Sequence, residues 1–208
     1  MINRRYVAAS HSTLLAAALL AGASYWPMSH TLPPGAVIIV WKGVGVALLA
    51  LWAILRSGSM IGVVLAFGAL GDVLLETAGQ TIGALAFLAG HILAIIFYRK
   101  MRRPGADGLG IAIFGVIMIM AWIAAGPTPT LIYATGLSGM TGAAVASCFP
   151  RRYVALGAAM FAASDLLIFA RAGLAPHIAW AGVLVWPLYF IGQALIAWGV
   201  VGMNDKKV

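Results

Sequence analysis

Charge is what this chain has least of. Only 9% of its 208 residues are charged, and the acidic ones number five: Asp72, Glu76, Asp107, Asp165 and Asp205. A water-soluble domain of this length would expose far more charge. With 63% hydrophobic residues and a mean hydropathy of +1.02, the composition is that of an integral membrane protein. Cysteine is almost missing as well. Cys148 alone excludes an intramolecular disulfide and a multi-cysteine metal centre. The chain has no Walker loop, no dinucleotide-binding glycine motif and no GxSxG nucleophile motif. It also has no long polar linker, which predicts a single integral membrane domain over residues 1–208.

What is present is a series of apolar runs, at 9–26, 36–55, 60–78, 82–98, 109–125, 131–149, 154–170 and 178–201. Each is about the length that crosses a bilayer core. Turn residues and charge separate them, as at Trp26-Pro27 through Pro33-Pro34-Gly35 and at Pro150-Arg151-Arg152. The expected fold is all-α, a polytopic membrane protein of eight transmembrane helices. Arg4-Arg5 and the run to Ala21-Gly22-Ala23 resemble a signal peptide, but the charge pattern requires this segment as a first helix.

The net charge of +8 sits in short basic clusters between apolar runs, the pattern of loops facing anionic headgroups and not of a nucleic-acid surface. With a cytoplasmic N-terminus, eleven basic residues fall inside (Arg4, Arg5, Arg56, Arg99, Lys100, Arg102, Arg103, Arg151, Arg152, Lys206, Lys207), and Arg171 alone falls outside. Both termini are then cytoplasmic, as in a multi-pass protein of a bacterial inner membrane.

Three of the five carboxylates lie inside apolar runs. Gly71-Asp72-Val73-Leu74-Leu75-Glu76 is echoed by Ser164-Asp165-Leu166-Leu167-Ile168, and Phe87 through Leu93 resembles Tyr189 through Leu195. This spacing suggests a 4+4 parallel internal repeat, with Asp72 and Asp165 facing each other. An ionisable group at membrane depth costs several kcal/mol and marks a partner or a cavity. At about 1.5 Å per residue, Asp72, Asp165 and Lys42 all stand some 10 Å from the outer helix ends. His91 and Tyr189 fall one turn deeper and Glu76 one turn shallower. Such groups also serve as glue between helices, and the small residues Gly68, Gly71, Ala163 and Ser164 suit close packing. Equal depth favours a site.

A zinc site is not expected, because His11, His30 and His177 lie far from this level. A serine nucleophile fails too: Ser164 adjoins Asp165, and adjacent helix positions do not face each other. Two carboxylates in different surroundings remain, able to divide into a general acid and a general base.

These motifs resemble those of the YhhN family, which includes lysoplasmalogenases. The resemblance runs from Gly71 through Gln193 and is most specific at the paired Asp motifs. It implies hydrolysis of the vinyl ether bond of a lysophospholipid substrate, releasing a fatty aldehyde and a glycerophospho-base. No cofactor is implied. The expected roles are Asp165 as acid and Asp72 as base and electrostatic stabiliser, with the exchange of roles left open. Tyr189, His91 and Gln193 would position them, with Ser164 and Glu76 nearby, and Lys42 or Arg171 would receive the phosphate. The bilayer is the other partner, and a homodimer is compatible with the sequence. The rival reading is a proton-coupled transporter or exporter using the same carboxylates. The nearly apolar stretches Met60 to Leu70 and Val154 to Ala163 offer it no path to the inner side.

Overall fold

The computed structural model describes residues 4–57, 60–125, 130–174 and 176–204. The described residues form eight helices and no strand: α1 (Arg4–Thr31), α2 (Ala36–Ser57), α3 (Met60–Thr77), α4 (Gln80–Lys100), α5 (Asp107–Ala125), α6 (Thr130–Ala146), α7 (Val154–Ala172) and α8 (Ala179–Asn204). Each apolar run became one helix.

Two boundaries differ for identifiable reasons. α1 runs on through Pro27, where the Trp26-Pro27 pair predicts a break. A proline inside a helix removes one backbone donor, here the one that would meet the Ala23 carbonyl, and the helix continues past it to a last turn to which side chains add further bonds. His30 Nδ1 lies 2.6 Å from the Trp26 carbonyl, and the Thr31 hydroxyl donates to the Pro27 carbonyl at 3.2 Å. α6 stops at Ala146 and not at Phe149. Pro150 disfavours a helical conformation in the residue before it, and the Cys148 N–H is taken by the Met101 carbonyl at 2.7 Å.

Six helices, α2, α3, α4, α5, α7 and α8, are long and apolar enough to cross a membrane, and α6 is a shorter apolar helix. The chain thus has the architecture of a multi-pass membrane protein. Its outward residues fit that setting. Along α5, Ile111, Val116, Ile119, Trp122 and Ile123 are all exposed, a ridge that lipid would cover. Reporter fusions test the orientation that the basic residues imply. Fusions at the C-terminus and within the Arg99–Arg103 segment should both report a cytoplasmic location. A C-terminus outside would mean an odd number of crossings and would overturn the common depth of the polar residues.

Within the described residues the chain divides into two compact units, one ending at Gly90 and one spanning His91–Met203. In the first, α2 packs between α1 and α3. The Trp41 indole donates to the Ala21 carbonyl at 3.1 Å and the Ser24 hydroxyl at 3.2 Å, tying α2 to α1. Gly71 lies under the Phe87 ring, where a Cβ would come within 2.6 Å of ring carbons. Small residues that bring helices this close are how apolar helices gain contact in the absence of a hydrophobic drive.

In the second unit, α5 packs on α6 and α7. A Cβ on Gly157 of α7 would stand 2.5 Å from the Gly192 carbonyl oxygen of α8, so these two backbones touch. The Ser164 hydroxyl donates to the Val185 carbonyl at 2.9 Å, a second tie between the same helices. The α4–α5 and α6–α7 connections are stitched together as well. Arg102 bridges Ser147, and the Arg103 N–H donates to the Ala146 carbonyl at 2.8 Å.

Candidate functional site

The second unit buries a chain of three polar side chains. Asp165, on α7, is 7% exposed, and the Tyr133 hydroxyl of α6 donates to its Oδ2 at 2.7 Å. His91, on α4 and 4% exposed, brings Nε2 to 3.2 Å from the same tyrosine oxygen. A phenol has one proton and can still accept. With Asp165 ionised, Tyr133 donates to the carboxylate and the His91 Nε2–H donates to Tyr133. With Asp165 protonated, both bonds can reverse. The two distances are therefore compatible with either of two hydrogen-bonded arrangements.

Aromatic rings enclose this chain. His91 meets Tyr133 and Phe161 edge-on with centroids 5.3 and 5.2 Å apart, and Phe169 lies edge-on to Tyr133 at 6.0 Å. Phe161 in turn meets Tyr189 at 5.2 Å, and Trp186 flanks Tyr189. Edge-to-face pairing is the favoured geometry for such rings. The result is a buried aromatic wall built from α4, α6, α7 and α8. Ser164 is buried and spent on the Val185 carbonyl, which suits a positioning role better than a reactive one. Gln193 is buried on α8. Arg171 is exposed at the end of α7, its guanidinium lying over Gly182, where a Cβ would stand 2.9 Å from Nη1.

The first unit holds a second polar cluster. Lys42 Nζ of α2 pairs with Glu76 Oε1 of α3 at 2.7 Å, the lysine mostly covered and the glutamate half-exposed. Asp72, one turn before Glu76 on α3, is 3% exposed, and both it and Tyr25 of α1 lie within electrostatic reach of the ammonium. The two carboxylates singled out in the sequence thus have different company. Asp165 is held by a phenol, whereas Asp72 stands by an ion pair. Among the described residues no three His, Cys, Asp or Glu side chains gather as a metal site would require.

Sequence reasoning missed Tyr133. It lies three residues into α6, shallower than the level of Asp165 when Cα positions are counted. Its hydroxyl ends well away from its own Cα. A polar tip inside an apolar run, Leu131-Ile132-Tyr133-Ala134, was the available signal.

The helices and the buried carboxylate–phenol–imidazole chain define the class: a multi-pass helical membrane protein with a buried polar cluster in an aromatic interior. The chain belongs to the YhhN family, whose model matches residues 37–200, and that family includes lysoplasmalogenases. No curated protein and no solved structure matches it.

Proposed function

We propose that the chain is a membrane-embedded hydrolase, in the inner membrane of a bacterium, that cleaves the vinyl ether bond of lysoplasmalogens. The observation that carries this reading is the Asp165–Tyr133–His91 chain, with bonds of 2.7 and 3.2 Å, inside its aromatic wall. Vinyl ether hydrolysis begins with a proton placed on the β-carbon of the enol ether, which leaves an oxocarbenium ion. Asp165 supplies that proton, and Tyr133 and His91 steady the carboxyl and help restore the proton afterwards. The aromatic surroundings of Asp165 suit the cation, since ring quadrupoles attract positive charge. Water then adds to the oxocarbenium carbon, and the hemiacetal collapses to fatty aldehyde and glycerophospho-base. One water is consumed, and the proton given at the start is returned. Asp72 has the second carboxylate's role, as base and electrostatic stabiliser, and Lys42 or Arg171 receives the substrate phosphate.

The test is aldehyde release by the purified protein from lysoplasmenylethanolamine or lysoplasmenylcholine, with diacyl and ester lysolipids as controls. Only the vinyl ether lipids should yield aldehyde. Tyr133→Phe keeps the ring packing and removes the hydroxyl, and should lower kcat roughly a hundredfold, the lower end of what a positioned acid–base group contributes. KM should change little. Absence of aldehyde release from any lysoplasmalogen by well-folded protein would overturn the reading.

A further inference from the structure

A cavity of about 390 Å³ lies among α4, α5 and α6, away from the groups just described. Arg99 on its border is eight residues along α4 from His91, about 12 Å at the rise of an α-helix. That volume is in the range of small-molecule sites. The cavity exists because of how α5 meets α6. A Cβ on Gly110 would stand 2.8 Å from the Gly142 carbonyl, and one on Gly142 would stand 2.5 Å from the Gly110 carbonyl. Where the backbones touch, small residues such as Ala143 and Ala146 leave space beside the contact.

The lining is divided by chemistry. Ile95, Ile111 and Phe114 form an apolar side, and Arg99 and Arg102 stand exposed at the border with Asp107. Arg102 Nη1 lies 3.1 Å from Asp107 Oδ2. Two guanidinium groups against one carboxylate leave the border one positive charge in excess. It is also fixed in place, because the backbone of 101–103 is hydrogen-bonded to that of 146–148. α5 begins at Asp107, so its helix dipole adds positive potential at the same end.

Tyr98 points to an occupant. It lines the cavity at 1% exposure, and its hydroxyl is buried without a hydrogen-bond partner. Buried polar groups are almost always paired, and an unpaired one calls for an explanation such as a missing ligand. An anionic group on the two arginines, with an apolar chain beside Ile95 and Phe114, would bring oxygen acceptors to that hydroxyl.

We propose that this cavity is a binding site for an acidic phospholipid, with its phosphate on Arg99 and Arg102, an ester or phosphate oxygen on the Tyr98 hydroxyl, and the start of an acyl chain against Ile95, Ile111 and Phe114. The eleven-to-one basic bias places this end of α4 at the cytoplasmic face, where anionic headgroups attract such clusters.

The test is the Tm of the purified full chain in neutral detergent, with added phosphatidylglycerol, phosphatidylcholine, oleate or inorganic phosphate. Phosphatidylglycerol should raise Tm by several degrees in a saturable way, and the other three should not. Arg99→Gln combined with Arg102→Gln should remove most of the shift. Tyr98→Phe should lower it while leaving the lipid-free Tm equal or higher, since an orphaned hydroxyl has been removed. Ala143→Leu, which leaves the charged border intact, should abolish the shift by filling the space and decides the matter if the double arginine variant does not fold. An equal shift with phosphatidylcholine would overturn the proposal as non-specific lipid stabilisation. An equal shift with oleate would overturn it in favour of a fatty-acid carboxylate. A full shift in Ala143→Leu would place the lipid elsewhere.

Discussion

Asp165→Asn should lower aldehyde release by roughly two to four orders of magnitude, the usual contribution of a positioned acid–base group. The amide oxygen can still accept the Tyr133 hydroxyl that now bonds Oδ2 at 2.7 Å, so the packing of α6 on α7 survives. What is lost is a proton to give. Folding should be little affected, because an uncharged isostere removes a group whose burial is unfavourable when ionised. Asp72→Asn should cause a loss of similar size, and the double variant should be little worse than either single one, since members of one catalytic unit are strongly non-additive. Multiplied losses would show that the two carboxylates act separately. Residues that merely hold helices together would behave otherwise, lowering Tm while leaving turnover per folded molecule nearly intact. Turnover and Tm measured on the same preparations separate these outcomes.

Gly157→Leu should abolish the folded second unit, and activity with it, although residue 157 is eight positions from Asp165. Its Cβ would meet the Gly192 carbonyl at 2.5 Å and the Ile196 backbone nitrogen at 3.1 Å. Backbone cannot move aside as a side chain can, so α7 and α8 would have to separate. Overpacking ordinarily costs about 1–3 kcal/mol, and a clash against helical backbone belongs at or above the top of that range. Separation also breaks the bond from the Ser164 hydroxyl to the Val185 carbonyl and moves Phe161 from Tyr189, so the wall around Asp165 opens. Gly115→Ala is the control. Nothing lies within 4 Å of a Cβ there, and alanine favours a helix by up to about 1 kcal/mol over glycine. Its Tm should be unchanged or higher. A wild-type Tm for Gly157→Leu would mean that α7 and α8 do not approach so closely.

The helices were legible because each apolar run is long enough to form one, and six of the eight, among the described residues, are also long and apolar enough to cross a bilayer. The ends of α1 and α6 were not. They depend on which partner takes a carbonyl or an N–H, as His30 does for Trp26 and Met101 for Cys148, and no local pattern records that choice. Counting depth along helices drew attention to Asp165 and His91 together, yet it could not supply Tyr133, the residue that joins them. Depth is a coordinate of the backbone, and the join is made by the reach of a side chain. Lys42 and Glu76 were placed at neighbouring levels by the same count, and the pairing at 2.7 Å adds that α2 and α3 turn those faces to each other. That Asp72 and Asp165 act together is an expectation from the repeated motif alone, and the double variant is its test.

The pairing of Arg102 with Ser147 has a topological consequence. Two strands of chain can share backbone hydrogen bonds only when both are on one side of the bilayer, so the chain between them must cross an even number of times. α5 and α6 fill that interval. If α5 passes through, α6 must bring the chain back, short as it is, and the two enter as a hairpin or not at all. The shortness of one helix is then no obstacle to its insertion, because its fate is tied to that of its longer neighbour.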